Sequence, residues 1–248
     1  MIKHINALLV FGLMCIASVA QAQTADVFTP AQRQALQGMI RQYIMDNPDV
    51  IMEALTAADA RQKQEAEARA AQAIAQFKTA LERDPDDAVT GNPQGDVTLV
   101  EFFDYRCGYC KQAAASVAQA VSEDGKVRLV HKQLPILGPA SVLAARAAVA
   151  SQAQGKYPIF HDALMAERRS LDEAGLIDLA KRVGLDGERL KRDMTSSETE
   201  AKLQKSLSLA QALAIRGTPA FIIAGELIPG AVDAATLKGM IAKARKGG

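Results

Sequence analysis

The residues best suited to chemistry in this 248-residue chain are Cys107 and Cys110, separated by Gly108 and Tyr109. A pair closing so small a loop would add little as a structural staple, and a chain of this length does not need one. It is better explained as a dithiol that opens and closes. The pair follows the apolar run Val97–Phe103 directly and precedes an alanine-rich segment at 111–121. Strand then helix puts the cysteines at a helix N-terminus, where unpaired amide donors and the positive end of the peptide dipole favour a thiolate. Cys107 is therefore expected to be the exposed nucleophile. Cys110, one turn further on, is expected to be the more buried resolving thiol. Exchange would pass through a mixed disulfide on Cys107 that Cys110 then resolves.

Glu101 is the second residue of chemical interest, because it interrupts an apolar strand. A carboxyl buried there would have a raised pKa and could pass a proton to or from Cys110. His131 or Lys132, on the next predicted strand, is the expected partner; the alternative is a strand-end acid turned to water. His161 reads as a packed or capping histidine. Tyr109 either touches substrates or covers the thiol, and Lys111 either favours the thiolate or is a solvated lysine. Two thiolates also suit Cu(I), which makes a copper-handling protein the rival class. A closed zinc site wants four ligands, and neither His131 nor His161 is in ligand spacing. No metal ligands are assigned, and no cofactor is expected beyond a redox-active Cys107–Cys110 disulfide.

The elements that must position these residues can be read along the chain. Lys3, an apolar run at 5–19 and Ala20-Gln21-Ala22 form a secretory signal peptide over 1–22, with cleavage after Ala22 and a periplasmic destination. Cys15 leaves with it, so the remaining pair works in an oxidising compartment. A formal net charge of +1 with mixed signs asks for no nucleic-acid partner. Residues 23–84 read as helical, with Thr29-Pro30 as a helix start. Leu36, Ile40, Tyr43 and Ile44 follow at helical spacing, and Asn47-Pro48 restarts the pattern before Val50, Ile51 and Leu55. In the long helix expected over 56–82, Ala70, Ile74, Phe77 and Leu81 form a narrow seam. That seam suggests a homo-oligomerisation region, dimer or trimer; the plainer reading is a connector packed on its own domain. The Pro/Asp/Gly/Asn-rich stretch 84–96 is taken as a loop and domain boundary. The 85–248 domain then runs strand, helix, strand (127–134), a helical block at about 139–213, a hairpin (221–224 and 227–228) and a closing helix at 233–246.

Three separated motifs carry a family resemblance. Glu101-Phe102-Phe103-Asp104-Tyr105 leading into Cys107-Gly108-Tyr109-Cys110-Lys111 resembles the active-site segment of the DsbA-like thioredoxin-fold proteins. Gly217-Thr218-Pro219-Ala220-Phe221 resembles that family's Thr-cis-Pro loop, and the segment from Leu134 to Pro139, with Ser141, resembles the entry to its helical insert. The resemblance implies an α/β thioredoxin fold with an inserted helical domain, and a Thr218–Pro219 loop facing Cys107 that offers backbone groups to an extended substrate. It also supports an acid at Glu101. Gly108-Tyr109 departs from the Pro-His of the strong oxidase and resembles the dipeptide of the DsbC-type isomerases. The N-terminal helices resemble the oligomerising stalk of ScsC-like (suppressor of copper sensitivity) proteins. The implied function is a periplasmic disulfide isomerase or reductase acting on misoxidised exported proteins, with a membrane thiol:disulfide redox partner. A DsbA-type oxidase recharged by a quinone-linked membrane partner and a copper-tolerance protein are the alternatives.

Overall fold

A computed structural model describes residues 27–247; the leader expected at 1–22 lies outside the described residues. Five strands, β1 (Ala88–Gly91), β2 (Val97–Phe103), β3 (Val127–Gln133), β4 (Ala220–Ile223) and β5 (Glu226–Pro229), pair in the order β1-β3-β2-β4-β5. Helix α4 (Gly108–Asp124) joins β2 to β3 as a parallel crossover, and the other pairings are antiparallel. The helix begins at Gly108, earlier than the expected segment, because Cys107 itself caps it. It stops at Gly125, whose positive φ of 69° suits a residue without a Cβ.

Strand periodicity divides the side chains between two faces. Val97, Leu99, Val127, Leu129 and Phe221 pack on Val117 of α4 and on Leu237 and Ile241 of the closing helix, which is α10 (Ala234–Gly247) in chain order. Val100, Phe102, Val130 and Ile222 face the other way. Between β3 and β4 lie α5 (Pro139–Ser151), a 3₁₀ turn at 152–154, α6 (Tyr157–Ala166), α7 (Glu173–Arg182), α8 (Gly187–Asp193) and α9 (Ser197–Ala212). Asp172, Asp186 and Ser196 cap α7, α8 and α9 through their side-chain oxygens. The core of this insert runs on from Phe103, Tyr105, Cys107 and Cys110 through Phe160, Leu164 and Leu176. The thiols therefore sit where insert and sheet domain meet.

Upstream are α1 (Pro30–Asp46), opened by a Thr29/Gln32 capping box, α2 (Asp49–Gln76) and α3 (Lys78–Glu82), the last two separated by a break at Phe77. The chain divides into one unit ending at Asp59 and another beginning at Ala60, earlier than the boundary expected at 84. The reason is the fate of the narrow seam. Ile74 is 4% exposed and Leu81 1%, and both belong to the buried cluster that contains Val100 and Phe102. The sheet face away from α4 is apolar and must be covered, so this part of the seam is spent on its own domain. The expectation that it packs on a second copy is corrected there. In the first unit, α1 buries no residue, and Met39, Ile40, Tyr43 and Leu55 are exposed. The stretch 84–96 also differs from expectation: it contains β1, held at the sheet edge by β3.

Candidate active site

Cys107 is the N-cap of α4. Its Sγ accepts a hydrogen bond from the Cys110 amide at 3.4 Å and its carbonyl receives the Lys111 amide at 3.1 Å. The thiol donates in turn to the Thr218 carbonyl at 3.2 Å. The Thr218–Pro219 peptide is cis, as the resemblance implied. Both cysteines are free thiols. Cys110 is 0% exposed, and burial, followed by the neighbouring Cys107, pushes its pKa up. Cys107 is only 5% exposed, which corrects the expectation of an open nucleophile. Insert and cis-proline loop close over it, whereas Tyr109 stands 68% exposed and so does not serve as a buried cover. Gly108 beside it has nothing within 4 Å of where a Cβ would be, so this side of the motif faces open space. Tyr109 and Thr218 line a cleft of about 450 Å³ with Gly230, Val232 and Asp233.

Asp104 is a positioning residue the sequence reading did not single out. Its buried carboxylate accepts from the Arg106 amide at 2.7 Å and from the Ile136 and Leu137 amides at 3.0 and 3.1 Å, while its carbonyl accepts from the Cys107 amide. One side chain thus ties the loop before the thiols to the loop entering the insert. The signal available in the sequence was an Asp two residues before Arg106, the spacing of an Asx turn.

Glu101 is 2% exposed, and its Oε1 has no hydrogen-bond partner among the described residues. Burial raises its pKa from 4.5 to about 8. Its register partner on β3 is His131. Both line a concavity of about 580 Å³ together with Thr90, His161 and Ala114, and Ala114 lies one helical turn beyond Cys110. No hydrogen bond joins Glu101 to His131. The His131 Nε2 pairs with the Thr90 hydroxyl at 2.7 Å, and its ring centre lies 4.4 Å from that of His161. Burial, reinforced by His161, holds the His131 pKa well below the ordinary value, and burial holds His161 at about 4. His161 is packed as expected, its Nδ1 bonded to the Tyr105 hydroxyl at 2.9 Å. Lys132, the other expected partner, is excluded by strand alternation. It lies on the opposite face, where its ammonium bonds the Asp87 carboxylate and donates to the Ala80 carbonyl at 2.7 Å. Lys111 is half-buried and not turned to the thiol: its ammonium donates to the Leu164 and Glu167 carbonyls at the end of α6. Among the described residues, no group of three or more His, Cys, Asp or Glu side chains is placed to hold a metal ion.

A helix-capping thiol pair beside a cis-proline loop, on a mixed sheet interrupted by a helical insert, is the arrangement of the thioredoxin-fold dithiol proteins. The chain belongs to the family of the DSBA-like thioredoxin domain, whose model matches residues 98–242, and it is an ScsC-like member, since residues 32–65 match the copper resistance protein ScsC N-terminal domain. Among solved structures, a thioredoxin-like oxidoreductase from Silicibacter pomeroyi DSS-3 is 47% identical, covering 68% of this chain and 98% of its own, with a TM-score of 0.66. A linker-deletion N6K mutant of Proteus mirabilis ScsC is 26% identical over 91% of this chain and 100% of its own, with a TM-score of 0.68. Among curated proteins, the Na(+)/H(+) antiporter NhaA 3 of Salinispora tropica is 33% identical over 145 residues, which are 57% of this chain and 22% of the antiporter. The matched segment is thus about a quarter or less of the curated relative's length, and no helix of the described residues is long and apolar enough to cross a membrane.

Proposed function

We propose that this chain is a periplasmic thiol:disulfide oxidoreductase that reduces and reshuffles wrong disulfides in exported proteins. One observation carries the reading: the Cys107 sulfur receives the Cys110 amide, in the first turn of α4, while donating to the cis-proline loop. In the forward step the Cys107 thiolate attacks a substrate disulfide. The substrate S–S bond breaks, one substrate thiolate leaves, and a Cys107–substrate disulfide forms. That freed thiolate can attack elsewhere in the substrate, which is isomerisation. Otherwise the Cys110 thiol gives up its proton and attacks Cys107, so that the substrate leaves reduced and the protein pair is oxidised. A membrane thiol:disulfide partner then reduces the pair again. The ionised form of Glu101, which grows as pH approaches about 8, takes the Cys110 proton through water in the concavity it shares with Ala114, and the protonated form returns a proton when the pair is reduced again.

Two features support isomerase over oxidase: the Gly108-Tyr109 dipeptide, and the exposed apolar side chains of the first unit, which in water call for cover by copies of the chain. Reactivation of scrambled ribonuclease tests this. The wild-type chain should restore activity and Cys107→Ser should not. Rapid oxidation of a dithiol peptide by the disulfide form, without ribonuclease reactivation, would establish the oxidase reading instead.

A further inference from the structure

Four cations crowd one concavity that starts at the residue before the nucleophile. It measures about 450 Å³ and is lined by Arg106, Lys111, Arg168 and Arg169, with Glu167 as its one carboxylate. Glu167 is already committed: its oxygens bond the Arg169 side chain at 2.8 and 3.1 Å and the Arg182 side chain at 3.2 Å. Arg106 and Arg168 are exposed and form no ion pair among the described residues. The Lys111 ammonium is anchored by carbonyl oxygens, which fix its place without cancelling its charge. Burial, then the Arg168 charge, depresses the Lys111 pKa, with Arg106 acting in the same sense, as like charges do around one hollow. The chain as a whole carries only +1, so this excess is local. The cleft of Tyr109 and Thr218 contains no Lys or Arg.

From this arrangement we infer that the Arg106–Lys111–Arg168 hollow is a docking subsite for acidic polypeptide, taking Asp or Glu side chains that flank the reactive cysteine of a substrate. A substrate sulfur must come into bonding distance of Cys107, and residues on one side of it then reach the hollow that begins at Arg106, the residue before the nucleophile. Carboxylates there meet guanidinium groups free to bond them in bidentate fashion. Exposed charges at the rim of a contact act mainly on the rate of encounter and on its salt dependence. A nucleic acid would need a longer basic track than a single hollow.

The inference rests on the exchange chemistry proposed above, and its test separates the two. Two cysteine peptides are prepared as their 2-pyridyl disulfides, one with glutamates beside the cysteine and one with glutamines, and each is mixed with the reduced full chain. Cys107 attacks the peptide sulfur and pyridinethiol leaves as thiopyridone; Cys110 then displaces the peptide thiol, so two protein thiols are oxidised as one activated disulfide is reduced. Thiopyridone release gives the second-order rate constant. At about 0.01 M salt the glutamate peptide should react about 10-fold faster than its neutral twin, and near 1 M salt the two should converge. Arg168→Glu should abolish the preference. Lys246→Glu, an equal charge change at the exposed end of α10, should retain it. Equal rates for the two peptides at low salt, or a preference that survives Arg168→Glu, overturn the subsite while leaving the exchange chemistry standing. No release beyond the protein-free rate with either peptide overturns the exchange chemistry, and the subsite with it.

Discussion

Glu101 shows how a single buried residue writes itself into the pH dependence of the whole fold. Its carboxyl is ionised in the unfolded chain above about pH 4.5, but in the fold it keeps its proton up to about 8. Between these values the native state holds one proton more than the unfolded state. This group therefore stabilises the fold toward the acid end of the window, and its contribution is lost as pH rises, at up to about 1.4 kcal/mol per pH unit. Glu101→Gln removes the dependence. Urea titrations across the window should show the variant gaining on wild type as pH rises from 5 to 8 (both about), with His131 and His161 cancelling because both proteins keep them. A stability difference that does not change with pH would show that Glu101 is not held neutral. At this scale the sequence was informative about identity and poor about partners. An acid inside an apolar run signals burial, and a cysteine pair before a helix signals capping. The choice between His131 and Lys132 turned on strand register, and register is fixed by pairing with β2, which neighbouring residues in sequence do not reveal.

At the scale of elements, Lys132 belongs to the seam between β3, β1 and α3. It lies almost wholly buried, bonded to Asp87 just before β1 and to a carbonyl of α3. Burial raises Asp87 to about 6 despite that lysine. Lys132→Met would leave a carboxylate in a poorly solvated site without its cation, at a cost of about 3 kcal/mol at neutral pH. The cost should shrink near pH 5, where Asp87 can take up a proton and become neutral. Chemical denaturation at the two pH values checks both parts, and an equal loss at each would mean the ion pair is not what Lys132 contributes. The missed strand β1 has a related origin. Ala88-Val89-Thr90-Gly91 is short and bordered by Asp and Pro on one side and by Asn-Pro on the other. Locally that composition reads as turn; it becomes strand because β3 offers an unpaired edge. The seven-residue β2, largely apolar, and the equally long β3, with Val127, Leu129 and Val130, needed no such help and were legible with nearly their final bounds.

Across the whole molecule, the packing of Ile74 and Leu81 changes where a cut can be made. Removing residues up to 84 would strip the apolar sheet face of the cover that Ile74 and Leu81 supply, leaving only Leu209 of α9, Leu213 at its end and their neighbours, whereas a chain starting at Ala60 retains it all. If the N-terminal helices assemble copies of the chain, as we propose, this shortened form should run as a monomer in light scattering. It should still reduce a small disulfide and should fail to reactivate scrambled ribonuclease. Reactivation at the full rate by a monomer would refute the link between assembly and isomerisation. The seam at 70–81 was visible in the sequence as periodicity, but periodicity states that a stripe is buried and not what buries it. The sequence favoured a second copy over the chain's own domain, and the apolar sheet face, which no local pattern reveals, decided the other way.

The hydrogen bond from the Cys107 thiol to Thr218 has a consequence for turnover. That proton exists only while the sulfur is unoxidised and uncharged. Each time the sulfur enters a covalent bond to another sulfur, the carbonyl loses its internal guest and becomes vacant for the amide of an incoming chain; when the thiol is restored, the guest competes again. Grip on a client would then loosen and tighten in step with the electron count. An isotope-labelled Thr218 carbonyl, followed by infrared spectroscopy through one redox cycle, should shift between two frequencies, and an unmoving band would deny any such gating.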